Sequence, residues 1–254
     1  MNKNPFNIIT KGKSTIPVIA HVPHGSIFIP KEVRCSLVLS DMALKKELIL
    51  MTDSYTPELF AGIVALGGIA IVNNYSRLVV DPERFENEEQ EVMSSRGMGA
   101  IYTKTAYQQM LRRDMSSKEK EEMISTYFRP YHETLGKEVQ KLLEQFDRCL
   151  IIDCHSFPSK PLPYELDQSI NRPDICIGSD PFHTPMESIT LVMSFCEANE
   201  VKMTINKPFA GTYVPQMYLG KDKRVSSIMV EVNRILYMNE KTRDRSSRFC
   251  LTKK

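Results

Sequence analysis

The chain has 254 residues, 42% of them hydrophobic, and 33 lysines and arginines set against 31 aspartates and glutamates. A formal net charge of +2 carries no electrostatic footprint for nucleic acid, and no run approaches the roughly 18 apolar residues of a membrane helix. The six cysteines are scattered without a Cys-x-x-Cys pair, which excludes a zinc-ribbon pattern and suits a reduced protein; with no signal-like stretch after Met1, a cytoplasmic location is expected, with no nucleic-acid or membrane partner.

Short runs rich in Val and Ile alternate with longer helical ones. Strands are predicted over residues 17–22, 69–73, 149–154, 174–178, 201–205 and 227–232. They are continuous rather than alternating, as suits strands buried on both faces of an α/β sheet. Ser40 and Asp41 open a helix over 42–51. A second runs over 54–66, with Gly67 and Gly68 as its stop. Ser116 and Glu119 have capping-box spacing, and the pattern stays helical to 146, although Pro130 should kink or split it. Thr184 reads as the N-cap of a further helix with Pro185 at its first position. The basic tail around Lys241, Arg243, Arg245 and Arg248 reads as a solvated last helix. No linker or repeat divides the chain, so one domain over 1–254 is expected. Residues 82–102 are the least regular segment, and loops of that length are commonly functional.

Two familiar patterns are set aside. Gly12-Lys13-Ser14 lacks the earlier glycine of a phosphate-binding loop and precedes its strand instead of following it. Cys154 and His155 are neighbours on a strand and point to opposite faces, so they are no nucleophile–base pair.

Other residues carry chemistry. His24 follows one strand run and His155 ends another, each before small residues that let the chain turn. Ligands collect beyond the carboxyl ends of parallel strands, and histidine is the commonest metal ligand. Asp53 lies in a break between helical runs, where it reads equally as an N-cap. Two histidines and a carboxylate form the ligand set of many hydrolytic zinc sites. Arg77 and Arg84 flank a short apolar run; they could grip carboxylates or pair with Asp81 and Glu83. Glu231 sits inside an apolar strand, where an unpaired charge is costly. A general base beside a metal-activated water is the job it suits. His21 and His132 read as structural. His183, just before a helix, has no assigned role.

Nine stretches occur in order along nearly the whole chain: HVPHGSIFIP (21–30), LMTDSYTPELF (50–60), SRLVVDPERF (76–85), RGMGAIYT (96–103), YFRPYHETL (127–135), LIIDCHS (150–156), PDICIG (173–178), NKPFAGTYVP (206–215) and VEVNRILY (230–237). Together they resemble the N-formylglutamate amidohydrolase family, which is similar in fold to zinc carboxypeptidases and acylamino-acid deacylases. The resemblance implies an α/β fold with a mixed, mostly parallel central sheet and helices on both faces, zinc-carboxypeptidase-like (phosphorylase/hydrolase-like). It also implies a zinc-dependent amidohydrolase (another divalent ion would serve) cleaving a small N-acyl amino acid, first of all N-formyl-L-glutamate to formate and glutamate. By the same resemblance His24, Asp53 and His155 would hold the metal, and Glu231 would be the general base. Arg77, Arg84, Tyr213 and Arg234 would bind substrate, and residues 94–102 would form a flap. The related carboxypeptidases place a carboxylate ligand three residues after the first histidine, where this chain has Ile27. The related deacylases read roughly Asp-x-Asn-Arg where this chain has Asp81-Pro82-Glu83-Arg84. The alternatives are a deacylase or carboxypeptidase for another N-acyl amino acid or peptide, and a non-catalytic small-molecule-binding relative.

Overall fold

A computed structural model describes residues 4–253. Seven strands form one sheet: β1 (Phe6–Ile9), β2 (Val18–Val22), β3 (Ile69–Asn73), β4 (Cys149–Phe157), β5 (Ile175–Gly178), β6 (Met203–Ile205) and β7 (Val225–Asn233). Their spatial order is β1-β3-β2-β4-β7-β5-β6. The pairings β2/β3, β2/β4, β4/β7 and β5/β6 are parallel, and β1/β3 and β5/β7 are antiparallel. The sheet is therefore mixed and mostly parallel, as the resemblance implied.

Alternation along the strands sorts residues onto two faces. On one, Ile19, Ile71, Cys149, Ile151 and Val225 pack against Tyr131, Leu135, Val139 and Leu142 of the Arg129–Phe146 helix. On the other, Ala20, Val22, Ala70 and Val72 meet Phe60, Ile63 and Val64, and Ile177 and Ile228 meet Ile189 and Val192 of the Met186–Ala198 helix. Helices thus cover both faces, which is why the central strands read as unbroken apolar runs. Leu135 and Val139 have no exposure at all, and burying such a side chain contributes about 1.5–3 kcal/mol.

Several local expectations change. β4 runs three residues past its predicted end, because its pairing with β7 continues to Phe157 opposite Asn233; His155 therefore lies inside a strand. β1 went unpredicted, since a four-residue edge strand with two half-exposed isoleucines carries little pattern. The helix expected over 54–66 is two single turns, Thr56–Leu59 and Gly62–Ala65. Tyr55 adopts a left-handed conformation (φ 69°) just before the first, which a continuous right-handed helix cannot include. Pro130 does not split its helix. The chain widens into a π turn over Ile124–Phe128, which makes room for the ring that would strike the carbonyl four residues back. The Ser116–Glu119 capping box is present as predicted. Pro185, not Thr184, is the N-cap of Met186–Ala198; the Thr184 hydroxyl instead donates to the Ser227 carbonyl at 2.7 Å. At the tail, the helix is only Phe249–Thr252. None of the described helices is long and apolar enough to cross a membrane.

Candidate metal centre and active site

Register builds the site. His21 on β2 stands opposite Asp153 on β4, and His155 on β4 stands opposite Glu231 on β7. All four share the alternation of Ile19, Ile151 and Val225, so they point to the face covered by the Arg129–Phe146 helix, at the carboxyl ends of three parallel strands. His24 lies two residues beyond β2. Gly25 follows it where no side chain fits, because a Cβ there would come within 2.9 Å of Pro57 Cδ.

The histidine rings are held by carboxylates. Nε2 of His24 donates to Asp81 Oδ1 at 2.7 Å. Its Nδ1 is buried without a hydrogen-bond partner and faces Asp53 Oδ2 at 3.7 Å and Glu83 Oε2 at 3.8 Å. Nδ1 of His155 lies 3.0 Å from Asp53 Oδ2, and its Nε2 lies 2.8 Å from Glu83 Oε1 and 2.9 Å from Asp153 Oδ1. The two rings are 5.0 Å apart, centre to centre. Asp53 is steadied from behind by Arg234 Nη2, which donates to its Oδ1 at 2.8 Å. Nδ1 of His21 donates to Asp153 Oδ1 at 2.8 Å.

The electrostatics follow from burial among opposed charges. Burial alone would raise Asp53, but the hydrogen bond from His155 and the nearby His24 and Arg234 charges hold it well below the usual carboxylate range. Burial opposes a charge on His155 too, yet Glu83, Asp153 and Asp53 raise it well above its ordinary value. Glu231 goes the other way. Burial first, then the charges of Asp53 and Glu83, push it up to about 8, and its Oε2 has no hydrogen-bond partner.

These residues fit a divalent metal. A ligating histidine commonly gives its second ring nitrogen to a carboxylate, and Asp81 on His24 and Asp153 on His155 occupy that position. The unpartnered Nδ1 of His24 is a bare donor aimed at two carboxylates. Among the described residues two groups have donor atoms all within 4.8 Å of one another: His24, Glu83 and His155, and His21, Glu83 and Asp153. Asp53 belongs to neither group, although its Oδ2 lies beside the His24 and His155 rings. In the sequence Glu83 reads only as an ion-pair partner and a departure from the deacylase motif. That departure is the signal from which its place here could have been read.

A cavity of about 870 Å³ opens over the centre, bordered by His24, Asp53, His155 and Glu231 and also by Arg77, Arg84, Tyr213 and Arg234. The arginines are differently occupied. Arg77 donates from Nη2 to Asp81 Oδ2 at 2.6 Å and from Nε to the Tyr102 hydroxyl at 2.9 Å. Arg234 also donates to the Leu50 carbonyl at 2.6 Å. Arg84 donates from Nε to the Met98 carbonyl at 3.1 Å, and its Nη2 stays 3.9 Å from Asp81. Tyr213 stacks on His21 with 4.6 Å between centroids, donates its hydroxyl to His132 Nδ1 at 2.6 Å, and its backbone N–H to Asp153 Oδ2. His132 also borders the cavity; burial lowers it to about 3, so it is neutral. His183 is structural, with Nδ1 donating to the Val225 carbonyl and Nε2 accepting from Gly220 N–H. The expected flap is not one. Met98, Ala100 and Tyr102 are core residues, and of the irregular segment the cavity wall takes residues 83–86 and Met93.

The N-formylglutamate amidohydrolase family model matches residues 16–238. N-formylglutamate deformylase of Pseudomonas putida is 24% identical over 241 residues, covering 92% of this chain and 86% of its own. Its counterpart from Pseudomonas aeruginosa is 24% identical over 239 residues with the same coverage. Among solved structures, N-formylglutamate amidohydrolase from Ralstonia eutropha JMP134 superposes with a TM-score of 0.83 at 21% identity, over 99% of this chain and 93% of that one. A gene product of Agrobacterium tumefaciens superposes with a TM-score of 0.71 at 15% identity, over 98% and 91%.

Proposed function

The chain belongs to the N-formylglutamate amidohydrolase family, and from that premise we propose that it is a metal-dependent hydrolase cleaving the amide of an N-acyl amino acid, N-formyl-L-glutamate first among them. Relatives named N-formylglutamate deformylase support the substrate. The observation that carries the chemistry is a buried glutamate, Glu231, set in register opposite His155 and bordering the cavity, with an oxygen left free. A carboxylate poised near neutrality suits proton transfer in both directions.

His24 and His155 would hold the ion with a carboxylate, Asp53 being placed beside both rings and fixed by Arg234. A bound zinc or similar dication supplies Lewis acidity and lowers the pKa of water toward about 7. Glu231 takes a proton from the attacking water as its oxygen bonds to the formyl carbon. Cleavage of the C–N bond then sends that proton to the departing nitrogen, so that formate and glutamate leave. Arg84 is the freer guanidinium for a substrate carboxylate, because Arg77 already serves Asp81 and Tyr102. Tyr213 and Arg234 complete the wall.

A second reading is favoured by size. At about 870 Å³ the cavity lies high in the roughly 300–1,000 Å³ range that holds drug-sized ligands, which leaves room for an acyl group larger than formyl. One experiment tests both: metal content by elemental analysis of wild type and His155→Ala purified without chelator, with release of the acid measured over a panel of N-formyl, N-acetyl and longer N-acyl amino acids. Near-stoichiometric metal, lost in the variant, together with fastest turnover of N-formylglutamate is the expected result. A well-folded protein that neither carries nor takes up metal would overturn the reading.

A further inference from the structure

We propose that the centre holds a second divalent cation, bound by His21, Glu83 and Asp153 and joined to the first through the Glu83 carboxylate; this rests on the metal-dependent reading above. The three donors come from β2, the loop after β3, and β4, and their donor atoms all lie within 4.8 Å of one another. His21 Nδ1 is 2.8 Å from Asp153 Oδ1 and 3.9 Å from Glu83 Oε1. His21 and Asp153 are fully buried, while Asp153 and Glu83 border the cavity, so an ion has a way in.

Glu83 faces two ways. Its Oε2 lies 3.8 Å from His24 Nδ1, and its Oε1 turns toward His155 Nε2 and His21 Nδ1. One carboxylate shared by two His-containing donor sets is the arrangement that spans paired ions about 3.5–4 Å apart. Charge gives the second ion a use. Counted by formal charge alone, the carboxylates of Asp53, Asp81, Glu83, Asp153 and Glu231 are matched by Arg77, Arg84, Arg234 and one dication. Arg77 and Arg234 are already spent on Asp81 and Asp53. A substrate with two carboxylates therefore meets a neutral site, and a second dication supplies the missing attraction.

The test is Mn²⁺ stoichiometry and electron paramagnetic resonance of metal-free protein dialysed against excess Mn²⁺, with and without glutarate as an inert dianion. Wild type should retain two ions per chain with a spin-coupled signal, held more tightly with glutarate. Glu83→Gln, checked for folding by circular dichroism, should retain one, uncoupled. A single uncoupled ion in saturated wild type overturns the second site and leaves the one-metal reading intact. Two coupled ions in Glu83→Gln overturn the bridging role. No bound ion overturns both readings.

Discussion

Asp81 is fully buried, yet it sets the orientation of a proposed ligand. It accepts from His24 Nε2, from Arg77 and from the Tyr102 hydroxyl. Burial works against its charge, but Arg77, His24 and Arg84 hold it well below the usual carboxylate range. Asp81→Asn should weaken metal binding by about 10–100-fold, measured by competition with a chromophoric chelator; unchanged affinity would deny it a positioning role. Glu231→Gln should lower kcat by about 10²–10⁴-fold with metal content intact, the span for loss of a general base. The same residue makes a pH prediction for the metal-free protein. Its carboxyl is raised from 4.5 to about 8 in the fold, so the folded state binds the extra proton between those values. Stability is greatest below pH 4.5 on this account and is lost as pH rises through about 8. Glu231→Gln escapes that loss, and its melting temperature should increasingly exceed that of metal-free wild type as pH is raised across this window.

At the level of elements, the Arg129–Phe146 helix and the sheet face beneath it form the support on which the site rests. Leu135 is fully buried in that interface, and Leu135→Ala should cost about 2–5 kcal/mol, read from denaturant unfolding. Ser116→Ala removes the capping box of the preceding helix and should cost about 1 kcal/mol. Elements like these were legible in the sequence because their signals are local: β3 matches its predicted bounds, and Ser40 accepts from Ala43 N–H as its position suggested. Where a distant partner decides, the sequence was silent. β4 extends to Phe157 because β7 pairs with it that far. Residues 82–102 read as a long irregular loop, yet Met98 and Tyr102 pack into a core with Leu44, Leu78 and Leu111.

For the whole molecule, loading of the proposed metal should displace protons. Both ring nitrogens of His155 face carboxylates, and the carboxylates around it raise it well above its ordinary value, which favours the doubly protonated ring in the metal-free state. Loading at pH 7 should release protons as the ligand takes its metal-bound form. Titration calorimetry in buffers of different ionisation enthalpy checks this, and identical heats would contradict it. Metal binding the native state alone should also raise thermal stability with ion concentration, by about 2.7 kcal/mol at a hundredfold excess over Kd.

The sequence by itself determined the fold class and the family, and put forward the residues of the proposed chemistry. Continuous Val- and Ile-rich runs, turn-forming residues after histidines and a glutamate inside an apolar strand are local patterns that survive in any context. Only the tertiary structure decided which groups meet. Asp53 and Arg234, 181 residues apart, pair behind the centre; Arg77 turns to Asp81 and Tyr102; Glu83 turns toward three histidines. The reason is physical: charges buried this deeply persist only where opposite charges and hydrogen bonds converge on them, and that convergence is a property of strand register and packing.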